Sequence, residues 1–285
     1  MNNKLLSLAY LLLGLGAAAC QSQSVSTATT AAVGNEAAGA PVISGQLVAL
    51  GAAPATSADT LRLLQALDLA PLWAGTVQGK PAESVMDGVY GDDNYHIAFY
   101  FDSVRRDARQ PTLYHVWGRE RFKHVTTSFA GTCTAAHLRP LPDTADLQDS
   151  RRLRAYTAVA SFDLEENPAA KGAGRYTGQA YLDFCVDAAG HPQPCNFVGM
   201  DTGSGNPTKG SGLLFRGTWQ SKQTNQTKPV AWAAWYEVIV PDALRKLGLG
   251  ERGAELSPKL AQYGWGEKWE NEEWWAASPK SISTL

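Results

Sequence analysis

The residues of this 285-residue chain that could do chemistry are few: four cysteines, five histidines and some short acidic clusters. Cys185 and Cys195 flank Val186-Asp187-Ala188-Ala189-Gly190-His191-Pro192-Gln193-Pro194, a turn-rich loop between two apolar stretches. Three pairings are open to Cys133, Cys185 and Cys195, and the short loop favours the last two as a disulfide. Cys133 lies in register with Phe129 on a strand-like run and reads as a buried free thiol; its spacing is no zinc pattern. Asp87, Asp92, Asp93 and Asn94 surround Gly88 and Gly91, oxygen donors for calcium or simply an acidic hairpin loop. His96, His115, His124 and His137 never fall at ligand spacing on one element, so no metal is expected. Asp201-Thr202-Gly203-Ser204 reads as a turn in which an aspartate bonds its own backbone. No serine has a nucleophile-elbow setting and no glycine loop cradles phosphate, so neither a catalytic residue nor a cofactor is assigned. Paired carboxylates leave no local signature, which keeps a hydrolase open as the alternative.

The chemistry best specified by the sequence is at Cys20. Lys4 precedes an apolar run from Leu5 to Gly16, then Ala17, Ala18, Ala19 and Cys20, the layout of a secretory signal segment. The run is shorter than the roughly 20 residues a spanning helix needs. The stretch Leu15-Gly16-Ala17-Ala18-Ala19-Cys20 resembles the lipobox of bacterial lipoprotein precursors, with Ala17 where that pattern prefers Leu. The resemblance implies cleavage after Ala19, lipid on Cys20, and an address in the bacterial cell envelope, at the outer membrane ahead of the inner. Ala17 and Ala19 also satisfy the small-x-small rule for an ordinary signal peptidase cutting the same bond. Two or more acyl chains give stable attachment where one gives marginal binding, so Cys20 alone would suffice as an anchor. Asp201-Thr202-Gly203-Ser204 in turn resembles the D-T-G-S of aspartic peptidases, whose paired aspartates share a proton. The chain holds a single copy, followed by Gly205-Asn206-Pro207-Thr208 rather than an apolar stretch.

What must position any site is set by composition and period. Removal of residues 1–19 leaves 24 basic against 27 acidic residues, a near balance that calls for no nucleic acid. Residues 20–58 are rich in Ala, Ser, Thr and Gly with Glu36 as the only charge, and bury too little apolar side chain to offset ordering entropy. As a flexible tether they would span roughly 30–35 Å. Leu61, Leu64 and Leu67, with Thr56, Ser57 and Asp59 as candidate caps, predict one or two helical turns. From there the apolar period becomes two. Tyr95, Ile97, Phe99 and Phe101 alternate with more polar neighbours, as do Tyr156 to Leu164, Tyr176 to Val186, Leu213 to Trp219 and Val230 to Val240. Runs near Trp73 to Gln78, Leu113 to Gly118 and Val125 to His137 complete the series. Eight or more strands with short Gly/Pro/Asp/Asn connections predict an all-β domain over 59–285, an antiparallel meander closed as a barrel or folded as a sandwich. Short helical segments are expected at its N-terminal edge and in the C-terminal tail. Gly217-Thr218-Trp219 resembles the G-x-W of lipocalins, though it lies near the end of the series rather than in the first strand. A lipocalin-like barrel from Trp73 to Val240 is what that resemblance implies.

Two surfaces are candidates for binding. Arg105, Arg106, Arg109, Arg119, Arg121 and Lys123, with Arg151, Arg152 and Arg154, form either an anion-facing patch or solvated strand edges. Trp265 and Trp269, four apart ahead of Trp274 and Trp275, either stack on sugars or a partner, or lid the end of the domain. The sequence thus predicts an envelope lipoprotein whose β-barrel is a noncatalytic binding or structural module. Its expected partners are the membrane through lipid, and an envelope protein, a glycan or an apolar small molecule.

Overall fold

A computed structural model describes residues 57–77, 80–81, 85–141, 154–195, 206–245, 258–266, 268 and 274–276. Cys20, the tether, Arg151, Arg152, the Asp201-Thr202-Gly203-Ser204 string and Trp269 lie outside them.

Eight antiparallel strands close into a barrel: β1 Val85–Tyr90, β2 Tyr95–Arg106, β3 Leu113–Phe122, β4 Val125–Pro140, β5 Arg154–Glu166, β6 Gly174–Val186, β7 Leu213–Ser221 and β8 Thr227–Ala233. Neighbours in sequence pair in a meander. β8 returns to β1, with Trp232 opposite Gly88, and that pairing closes the ring and leaves no free edge. Of the two architectures the period allowed, the barrel is therefore the one formed. The alternation works as expected: Ile97, Phe99, Tyr114, Val116, Phe129, Cys133, Phe162, Leu164, Tyr176, Phe215 and Trp232 all enter one core.

Aromatic rings fill the middle of the barrel. Trp232 stacks on Phe99 at 4.0 Å and on Phe215 at 4.8 Å between ring centroids. Inward-facing glycines make room for them. Gly178 and Gly217 oppose each other across β6 and β7, and a Cβ on Gly217 would come within 2.0 Å of the Thr177 carbonyl oxygen. Gly131 and Gly217 thus mark close backbone approach inside strands, whereas Gly75, with φ 65°, sits in the turn after a helix.

One end of the barrel is plugged. Helix α1 (Ala58–Ala66) starts at Ser57, whose hydroxyl accepts from the Thr60 amide at 3.2 Å, and it buries Leu64. A one-turn helix, α2 (Ala70–Trp73), then drives Trp73 against Tyr114 and Phe215. This corrects the strand expected from Trp73 to Gln78: among the described residues of that run, Thr76–Val77 is the extended part. The last strand run is also shorter than its alternation implies. β8 stops at Ala233, and Tyr236–Val238 forms a 3-10 turn. Val238 and Val240 are buried by folding back over the outside of the barrel, where Val238 meets Val159, Tyr181 and Leu214.

The same fold-back carries the tail. Trp265 is fully buried, packed on His96 at 4.7 Å and Tyr236 at 5.5 Å between ring centroids. Expected as part of a binding surface or an end lid, it is instead core on the outer face of β1 and β2, with Val89, Leu244 and Leu260. Asp87 is salt-bridged there to His96 at 2.8 Å and to Lys268. Burial raises the Asp87 pKa, but the His96 hydrogen bond and the Lys268 charge outweigh it and hold the carboxyl below its ordinary value.

Candidate functional site

The opposite end of the barrel, where the β1–β2, β3–β4, β5–β6 and β7–β8 turns gather, is a mouth. It opens into a pocket of about 330 Å³ walled by Tyr90, Phe122, Tyr176 and Trp219, with Lys123 and Lys171 also among its lining residues. Its polar wall is Glu120, Glu166 and Thr127. Both glutamates occupy inward positions of the alternation. Glu120 follows Tyr114, Val116 and Gly118 on β3, and Glu166 follows Phe162 and Leu164 on β5. On the intervening β4, Thr127 pairs with Glu120 and Phe129 with Glu166, which sets the two glutamates at neighbouring inward positions, two residues apart in register.

They are 3% and 6% exposed, respectively Glu120 and Glu166, and they touch. Burial, followed by the Glu166 charge and a hydrogen bond to Glu166, pushes the Glu120 pKa well above 4.5. Two carboxyls in contact at low dielectric resist ionising together, which is the physical cause of that upward shift. Glu166 is held by three donors: Trp219 Nε1 at 2.9 Å, the Tyr176 hydroxyl at 3.2 Å, and the Gly174 amide. Gly174 is required for this, because a Cβ there would lie 2.2 Å from Trp219 Nε1. Glu120 Oε2, by contrast, is buried without a hydrogen-bond partner among the described residues. Burial, then the nearby carboxyls, also raises the Tyr90 and Tyr176 phenols.

None of these acids was singled out by sequence. The available signal was a Glu on the inward parity of two strands whose other inward residues are apolar or glycine. It needs the strand face to be known before it can be read.

The residues that were singled out go elsewhere. Cys185 and Cys195 are joined as a disulfide, Cα atoms 5.1 Å apart, and Cys133 is a buried free thiol whose pKa burial pushes to about 12. The described arginines engage separate partners. Arg106 bonds the Pro111 and Gln65 carbonyls at the plugged end, Arg119 pairs with Asp102 at 3.1 Å, and Arg105 lies over the Trp117 ring. Arg121 approaches His124 Nδ1 at 3.5 Å. Asp87 turns to the outer face while Asp92, Asp93 and Asn94 stay in the β1–β2 connection. No group of three metal-ligating side chains converges among the described residues.

The chain matches no protein-family model, no curated protein and no solved structure. The eight-stranded barrel and its acid-floored mouth therefore carry the functional argument alone.

Proposed function

We propose that this chain is a lipid-anchored protein of the bacterial envelope whose barrel is a noncatalytic module binding a small ligand at its mouth. The observation that carries the binding reading is a pocket of about 330 Å³ lined by the buried carboxyl residues Glu120 and Glu166 together with aromatic walls. Ligand sites are concave and mostly apolar, with a few converging polar groups, and this one has that form. The aromatic filling of the barrel restricts the ligand to the mouth, unlike a carrier with a deep apolar cavity. The anchor rests on Cys20 and the small residues before it. It places the barrel at a membrane surface, the outer membrane ahead of the inner, with room to meet an envelope partner.

The juxtaposed carboxyls favour a second reading, an envelope hydrolase. Glycosidase carboxyls stand roughly 5–9.5 Å apart to flank the scissile bond. Glu120 and Glu166 are in hydrogen-bond contact, an arrangement better suited to sharing a proton. Native mass spectrometry of the full chain from a bacterial host tests the binding reading: a small-molecule adduct lost in Glu120→Gln supports it, and an adduct-free protein with measurable hydrolysis of glycan or peptide substrates overturns it. Fractionation tests the anchor. Wild type should pellet with membranes and Cys20→Ala should not; a pelleting mutant excludes lipid on Cys20.

A further inference from the structure

The mouth pocket separates charge along its depth. Its floor is an acid pair, its walls are the rings of Tyr90, Phe122 and Trp219, and two of its other lining residues, Lys123 and Lys171, are cations. We propose that it takes a small zwitterion, amine inward to the Glu120–Glu166 pair and anionic end outward to Lys123 and Lys171. This rests on the small-ligand reading above and names the ligand's chemistry.

The amine follows from the acid pair. Glu166 has its donors in Trp219, Tyr176 and Gly174, whereas Glu120 beside it keeps an oxygen without one among the described residues. An apolar ligand would bring no donor to this wall, an unfavourable outcome. A neutral hydroxyl would bring a donor but gain no charge pairing from the acid pair. A protonated amine gains from both, and from the ring faces, which attract cations. Those faces already do so here: Lys123 Nζ lies 5.3 Å from the Phe122 centroid and 4.9 Å from that of Tyr95, and Lys228 Nζ lies 5.2 Å from that of Tyr90.

The anionic end follows from Lys123. It sits with His124 in the two-residue β3–β4 turn, at φ 51° and φ 62°. Such turns prefer Asn-Gly, because left-handed backbone strains residues with larger side chains. A strained Lys at this rim puts an ammonium beside the mouth, where a carboxylate or phosphate of the ligand would pair with it.

The test follows the Trp219 indole N–H by NMR on the full chain, titrated with the ω-amino acids from glycine to 6-aminohexanoate, and with hexanoate, hexylamine and 1-hexanol. At least one amino acid should shift the signal saturably, more tightly than any of the three singly functional probes. Glu120→Gln should weaken that binding about tenfold or more while the protein melts no earlier, and Lys123→Ala with Lys171→Ala should reduce it toward that of hexylamine. If hexanol or hexanoate binds as tightly as the best amino acid, the zwitterion assignment fails and the small-ligand reading stands. If no probe moves the signal, both fail.

Discussion

The Trp219 indole nitrogen on β7 donates to Glu166 Oε2 on β5 at 2.9 Å, reaching past a β6 residue, Gly174, whose missing side chain leaves the path open. The tryptophan that resembles a lipocalin signature is thus a structural clamp on the acid floor. Trp219→Phe keeps the ring and removes the donor. It should cost about 1–3 kcal/mol, since a hydrogen bond to a buried charged group is lost. Urea denaturation of the two proteins measures it, and an unchanged midpoint would show that the bond contributes nothing net.

Glu120 gives the barrel a pH dependence of known sign. Its folded pKa is raised well above 4.5, so the folded state binds the proton more tightly than the unfolded chain. That contribution is complete below about pH 4.5 and is lost as pH rises toward the folded value. The groups facing the site are Thr127 on β4, Glu166 on β5, Tyr176 on β6 and Tyr90 on β1, with Lys123 and Lys171 among the lining residues. Glu120→Gln should remove this slope and leave the protein equally or more stable at neutral pH. Melting temperatures of both proteins between pH 4 and pH 9 check it; parallel curves would refute the assignment.

Asp87 acts in the opposite direction. Its carboxyl is held below its ordinary value of 3.8 despite burial, by His96 and Lys268. The stability it supplies is present above the unfolded pKa and fades as pH falls through the folded one. Asp87→Asn strips the charge that pairs with Lys268 and should cost about 3–5 kcal/mol, the range for breaking a buried ion pair. Hydrogen exchange should show faster opening first at Tyr263 to Trp265. Uniform protection in the mutant would mean that the apolar packing of Trp265 alone holds the tail.

The cysteines give a chemical check. Native Cys133 should resist a maleimide at pH 8, because burial pushes its thiol to about 12. It should label once denaturant unfolds the barrel. Replacing Cys185 and Cys195 with Ala opens a ten-residue link and should cost about 3 kcal/mol by loop entropy. A lowered denaturation midpoint with unchanged slope is the expected result.

Much of this architecture was legible in sequence because its cause is local. An alternation such as Ile97-Phe99 with Ala98 between commits one face of a strand to a core, wherever that core is. The short loop between Cys185 and Cys195 made them the favoured pair among three. The Leu61, Leu64 and Leu67 spacing is consistent with one or two helical turns, and the helix begins after Ser57, whose side chain caps it, with Leu64 buried and Leu67 just past its end. The failures are where a short apolar run served two masters: Trp73 plugs the barrel from a helical turn, and Val238 and Val240 bury themselves outside it after the strand has ended.

By itself, then, the sequence determined that the chain makes inward-facing apolar strands joined by tight turns. Closure of the ring, the plugging of one end, and the meeting of Glu120 with Glu166 were decided by tertiary structure. A strand's own residues set which way a side chain points, but the level at which two side chains meet across a barrel depends on register and closure. Those are properties of all eight strands together, and no single segment carries them.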